Sequence, residues 1–251
     1  MLDIIIVPFT NVLVFLYDIL GNNFGLAIIV FTLLIKLLTY PLSVSQLKSA
    51  RMTQELQNDP RWKQIQTKYK DNREKLAQEQ MKFYQEKGIS PFSSCLPMLI
   101  QFPLLIAMYW SIQRSLAATP LALLDFARGI ALPNAAELLP LNSSFLWMDL
   151  AQPERLHLAF LPFAIPVLTI VVVVTTWLQS KMMTPPSTNP NDQSAQMARS
   201  MSLTMPLMMG YISMVFPSGL SIYYVISNLF GIAQAWLMRR QPVSTAAPAS
   251  K

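Results

Sequence analysis

Apolar runs long enough to cross a lipid bilayer, each nearly free of charge, constrain this chain more than any other feature. A bilayer core needs about 20 predominantly apolar residues per helix, and every backbone polar group in lipid must be satisfied within the spanning structure. Residues 23–42, 91–113 and 158–180 read as three spanning helices, and 203–238 as two more joined by the tight turn Phe216-Pro217-Ser218-Gly219. Hydrophobic residues are 53% of the chain and charged ones 13%. An ordinary globular domain carries roughly 25% charged residues, so the composition argues against a soluble fold. The expected fold class is an all-α membrane protein with five transmembrane helices.

The segments between these runs differ in character. Residues 1–22 are apolar but interrupted by Pro8, Asn11 and Asp18. They read as an interfacial helix on the outer side, with a true span as the other reading. They lack the basic start and small-residue cleavage site of a signal peptide. Residues 43–90 are polar, basic and helix-prone, and read as a cytoplasmic hairpin of two antiparallel helices, about 45–70 and 72–87. Asp59 would cap a helix that Pro60 opens. Trp62, Ile65 and Tyr69 on one side, and Leu76, Met81, Phe83 and Tyr84 on the other, recur at helical spacing and could close the hairpin.

Of 19 Lys and Arg residues, ten lie between Lys48 and Lys87, whereas the connection 114–157 holds three, Arg114, Arg128 and Arg155. The positive-inside rule therefore places the hairpin in the cytoplasm and 114–157 outside. The turn-rich loop 181–202 and the tail 239–251, read as disordered, then also fall in the cytoplasm. The single cysteine, Cys95, excludes an internal disulfide and reads as a small buried residue. No HExxH, GxSxG or P-loop pattern occurs, so neither an enzyme nor a cofactor is expected. The one histidine, His157, sits at an expected membrane edge.

Lys36 is the only charge well inside a spanning run. It lies about 18 Å from Phe24 and about 9 Å from Leu42 at 1.5 Å per residue, in the cytoplasmic half of the helix. A lysine there can snorkel to the headgroups. A lysine that does not escape costs about 2.5–3.5 kcal/mol to insert, unless hydrated or paired. Thr32, Lys36, Thr39, Tyr40 and Ser43 share one helical face, and no Asp or Glu lies deep in another run to pair with the ammonium. Gln101, Thr169, Thr175, Thr176, Gln179, Ser213, Ser227, Asn228 and Gln234 add polar groups at depth. Singly, each suits a helix–helix hydrogen bond; together with an unpaired lysine they suggest a hydrated cavity open to the cytoplasm. Fifteen methionines, crowded at Met182, Met183, Met197, Met201, Met205, Met208 and Met209, suit either gap-filling or adaptable apolar contact.

The stretches GLAIIVFTLLIKLLTYPL (25–42), CLPMLIQFPLLIAMYW (95–110) and FPSGLSIYYVISNL (216–229), in this order, resemble the YidC/Oxa family of membrane protein insertases. The resemblance covers roughly residues 4–240. It implies five helices around a hydrophilic groove that is open to the cytoplasm and to lipid. In that reading Lys36, Thr32, Gln101, Ser227 and Asn228 line the groove, and Phe216, Tyr223, Phe102 and Tyr109 form the greasy side along which a substrate helix slides. Many family members carry arginine where this chain has Lys36, and lysine acts as a point charge rather than a bidentate donor.

The partners implied are newly made membrane proteins and membrane lipids, with a Sec-type translocon and the ribosome as further candidates, no nucleic acid, and a monomeric working state. The implied location is the plasma membrane, multi-pass, with the C-terminus cytoplasmic. The short tail does not resemble the long basic tails that hold ribosomes in some relatives. A small secondary transporter or channel would share the buried charge. It would normally show internal repeats, which are not evident, and would not need a basic hairpin of this length.

Overall fold

The computed structural model describes residues 3–57, 59–69, 72–87, 96–116, 140–156, 165–183 and 193–239, with Phe126 and Leu138 besides. Cys95, Arg128, His157, the turn-rich segment 184–192 and residues 240–251 lie outside them. The described part is mostly helical. Its helices are α1 (Asp3–Ile19), α2 (Phe24–Leu38), α3 (Tyr40–Gln57), α4 (Pro60–Lys68), α5 (Arg73–Glu86), α6 (Leu96–Ser115), α7 (Val167–Met183), α8 (Gln193–Val215) and α9 (Ser218–Arg239). A two-stranded antiparallel ribbon, β1 (Ser144–Phe145) and β2 (Met148–Asp149), precedes α7.

Helix α2 follows α1 through a tight turn in which Gly21 and Asn22 both take positive φ, a conformation glycine and asparagine adopt most readily. Asn23 then accepts the Leu26 amide at 3.0 Å and caps α2. The expected first span runs to residue 42, but the helix stops at Leu38 and the chain bends by 61° into α3. Pro41 supplies the reason. It has no N–H to donate to the carbonyl of Leu37 four residues back, and its ring crowds that turn, so the helix cannot run straight through. The hydroxyl of Thr39 turns back to the Ile35 carbonyl at 2.8 Å at the break.

Among the described residues, α9 alone is long and apolar enough to cross a bilayer by itself. Helix α2 reaches that length only together with the start of α3, across the bend, while α7 and Ser200–Val215 of α8 are apolar but shorter.

Two other boundaries differ from expectation. Helix α8 begins at Gln193, inside the segment read as a loop. Helix α7 begins at Val167 rather than 158, and residues 157–164 lie outside the described part. The expected hairpin helix 45–70 is two helices, broken where Asp59 accepts the Arg61 amide at 2.9 Å and Pro60 opens α4. Trp62 packs against Phe83 and Tyr84, with ring centroids 5.6 and 5.3 Å away, to join α4 to α5. Leu56 and Ile65 complete this small cluster, whereas Met81 is exposed.

The main core gathers α1, α2, α6, α7 and α9 around Leu13, Phe24, Ile28, Met108, Ile112, Leu150, Val172 and Tyr223. Helix α7 packs on both α8 and α9, α9 on α2, and α1 on α6 and α2. The outward faces stay apolar: Leu33, Leu34 and Leu37 on α2, Val171, Val174 and Leu178 on α7, and Leu203, Leu207 and Tyr211 on α8 are all exposed. Helices whose outward faces stay this apolar suit lipid as the surrounding solvent.

Candidate functional site: a polar stripe beside α9

At one end of the bundle Ile28 and Ile112 close over Gly219. At the other end Leu47 packs on Ala235 and Met238, and Arg51 donates to the Met238 carbonyl at 2.8 Å. Helices α2 and α9 therefore run parallel. Counting turns from Gly219 at 1.5 Å per residue puts Thr32 level with Tyr223, about 6 Å along, and Lys36 level with Ser227, about 12 Å along.

The bend splits the single face expected for Thr32, Lys36, Thr39, Tyr40 and Ser43, leaving Thr32 and Lys36 on α2 and Tyr40 and Ser43 on α3. The hydroxyls of Thr32 and Ser43 turn back to carbonyls one turn earlier. Thr32 donates to the Ile28 carbonyl at 2.6 Å, and Ser43 to the Thr39 carbonyl at 3.0 Å. Lys36 is half-buried. The ion pairs among the described residues join Arg61 to Glu86, Lys82 to Glu79, Lys87 to Asp59 and Arg114 to Asp3, and none involves Lys36.

Gln101 of α6 donates to the Tyr223 hydroxyl of α9 at 2.7 Å. A residue expected in a groove is thus bonded to one expected on a greasy surface, and Tyr223 is only 1% exposed. Phe216 stacks edge-on against Tyr109 at 5.2 Å, both half-buried, and Phe102 stands out at 59% exposure.

Asn228 is buried and bridges to α7, donating to Thr176 at 2.8 Å and Thr175 at 3.2 Å. Ser213 links Thr169 at 3.2 Å to Ser221 at 2.7 Å. Gln179 lies over Gly231, where any Cβ would strike its amide. These groups hold α7, α8 and α9 together, which is the helix–helix role each suits singly. Ser227 is buried on α9, one turn from Tyr223, and the buried amide nitrogen of Gln234 further along has no hydrogen-bond partner among the described residues.

The structure also places residues that the sequence did not mark. Glu154 is 6% exposed and accepts both the Trp147 indole at 2.9 Å and the Leu168 amide at 3.1 Å. Its carboxylate thereby caps the N-terminus of α7. Ser218 donates to the Asp149 carbonyl at 2.7 Å, and the Gly219 amide to that of Leu150 at 3.2 Å, which ties the start of α9 to the ribbon. The cap of α7 comes from thirteen residues upstream of its first turn, so no local pattern announces it.

A mostly helical bundle with apolar outer faces, inward polar seams and one half-buried lysine defines a class, that of integral membrane proteins. Residues 15–245 match the family described as 60Kd inner membrane protein. The membrane protein insertase MisCA of Bacillus subtilis is 33% identical over 239 residues, 94% of this chain and 77% of that protein. The membrane protein insertase YidC 2 of Bacillus anthracis is 32% identical over 92% of this chain and 78% of its own length. That of Chlorobaculum tepidum is 36% identical over 85% of this chain, which spans only 32% of that longer protein. A crystal structure titled as an active YidC insertase with its first transmembrane domain resolved superposes with a TM-score of 0.58 at 24% identity. The match covers 96% of this chain and 47% of that one, so the chain spans about half its length. The chain belongs to the YidC family of membrane protein insertases.

Proposed function

We propose that this chain inserts newly made proteins into the plasma membrane, as the names of its relatives say of them. Helices α2, α6, α7, α8 and α9 are the five spans in this reading, α1 lies at the outer interface, and α3 to α5 form the cytoplasmic hairpin. The basic residues of 43–90 support that orientation, with the C-terminus inside. Lys36, Thr32, Gln101 and Ser227 face a groove from the cytoplasmic half, with Asn228 behind them holding α7 to α9. Phe102, Tyr109, Phe216 and Tyr223 carry the apolar side. A Sec-type translocon and the ribosome are proposed partners of a monomer.

The observation that carries this reading is Lys36. It is half-buried in an otherwise apolar helix, without a carboxylate among the described residues. Carrying a polar segment across lipid is opposed by dehydration of its backbone and side chains. A basic site part-way across offers an acidic segment an attractive stop, and burial of the client's apolar helix in lipid then drives the step.

The test is insertion of a short single-span client into liposomes holding the full chain. Lys36→Ala should slow clients with acidic translocated segments about fivefold, the worth of roughly 1 kcal/mol, while Lys36→Arg should preserve the rate. Full activity of Lys36→Ala on acidic clients refutes the charge role. Photocrosslinking from position 101 should capture nascent membrane proteins, and capture of none would favour a transporter.

A further inference from the structure

The ribbon between β1 and β2 turns on Leu146 and Trp147. Leu146 is held at φ 55°, a conformation that L side chains rarely adopt and that glycine, asparagine and aspartate adopt most readily in two-residue turns. Its side chain is 74% exposed, and that of Trp147 beside it 52%. The flanking residues do the opposite: Phe145 lies over Gly25 at the start of α2, and Met148 is in the main core. The Trp147 N–H is already satisfied by Glu154, so the indole offers an apolar face with its one donor settled. The tip stands at the end of the bundle where α2, α7 and α9 begin. At that end Leu26, Ile170 and Val215 are exposed as well, so its apolar surface continues the outward girdle of the helices.

We infer that Leu146 and Trp147 form an anchor that inserts into the headgroup–acyl boundary of the outer leaflet. It would fix the depth of α2, α7 and α9 through the Phe145–Gly25 contact, the Glu154 cap and the Ser218 and Gly219 hydrogen bonds. The inference rests on the spanning reading given under Proposed function. Lipid is the occupant because tryptophan favours membrane interfaces and because the tip is continuous with the lipid-facing girdle.

The test uses the full chain in phosphatidylcholine–phosphatidylglycerol liposomes, with Cys95→Ser removing the native thiol. Leu146→Cys and, as a nearby exposed control, Gln152→Cys are labelled with an environment-sensitive fluorophore. The label at 146 should emit to the blue of that at 152. It should be quenched at least threefold more by headgroup-proximal nitroxide lipid than by aqueous iodide, with the order reversed at 152. Iodide quenching at 146 equal to that at 152 overturns the anchor, as does shielding that arises only when a client protein is added.

Leu146→Asn guards against misfolding, because asparagine accepts the positive φ. With the label moved to Ser144→Cys, exposed on β1 beside the tip, it should unfold no earlier than the wild-type tip yet shift the label toward iodide. No shift in a folded variant also overturns the proposal. Retained client insertion alongside an iodide-accessible tip would sink the anchor alone, and failure of the chain to remain in carbonate-washed membranes would sink the spanning reading.

Discussion

Gly25 offers the sharpest check on how the ribbon seats against the bundle. Alanine for glycine gains up to about 1 kcal/mol in a helix interior and less in the first turn, where Gly25 sits, so propensity still expects Gly25→Ala to stabilise α2. The structure reverses the sign. A Cβ at Gly25 would strike three ring carbons of Phe145, Cγ, Cδ2 and Cε2. The ring cannot simply lift away, since Asp149 and Leu150 tie the ribbon to Ser218 and Gly219. Overpacking of this kind costs about 1–3 kcal/mol, and subtracting the propensity gain leaves a net loss of about 1 kcal/mol. That corresponds to roughly 2–4 °C in Tm for a chain of this size.

Phe145→Ala is half of the same contact, and should cost about 2 kcal/mol because the ring is only half-buried. In that background the obstruction is gone and Gly25→Ala should become neutral or stabilising. The double-mutant cycle therefore predicts a favourable coupling of about 1–2 kcal/mol. Unfolding in mixed detergent micelles, followed by circular dichroism, measures all four proteins. A stabilising Gly25→Ala in the otherwise wild-type chain, or a coupling near zero, refutes the seating of the ribbon on α2.

Three further outcomes follow from the polar contacts. Asn228→Leu should destabilise the chain by about 1 kcal/mol in the same unfolding assay, in line with measured interhelical hydrogen bonds in membranes, because it removes the bridge to Thr175 and Thr176. Thr32→Val should leave insertion of acidic clients within about twofold of wild type in the liposome assay, because its hydroxyl already serves the Ile28 carbonyl and adds little of the roughly 1 kcal/mol charge term. The hydrogen bond from Arg114, and then its charge, hold Asp3 below its usual carboxylate range. A depressed folded pKa gives stability that is present above the unfolded value and is lost as pH falls through the folded one. The Tm difference between wild type and Asp3→Asn should thus be small but measurable at neutral pH and low salt, and should fade as pH falls below the usual carboxylate range or as salt is raised.

Much of the fold was legible because lipid leaves few choices: an apolar run of sufficient length must be helical. Hydropathy, however, reports where lipid is, not where a helix ends. Helix α8 starts within QSAQMARS, whose polar residues look like loop to a hydropathy reading but form helix once the segment continues into an apolar one. The bend at Thr39 was carried by Pro41, which sits inside an apolar run and so read as part of the span. At the site, Thr32 and Lys36 could be placed together because four residues return to one face of a helix. The Gln101–Tyr223 bond joins residues 122 apart in sequence, and the Glu154 cap crosses from an irregular segment to a helix. No spacing rule reports either, because both depend on how separate helices dock.

That docking also narrows what the polar residues can do. A list of hydroxyls and amides at membrane depth suggests a wet interior, yet most of them in this bundle have partners. Thr32, Thr39, Ser43 and Thr175 turn back onto their own helices, Asn228 and Ser213 stitch α7, α8 and α9, and Gln101 is bonded to Tyr223. A side chain so engaged must break a bond to greet a client, at a net loss of about 0.5–1.5 kcal/mol. Lys36 bears no such debt among the described residues, and unlike a hydroxyl its charge acts beyond contact distance. In the proposed insertion role, selection among clients at this site would follow the sign and position of their charges more than their hydrogen-bonding pattern, with the hydroxyl-bearing helices around the lysine holding its surroundings in shape.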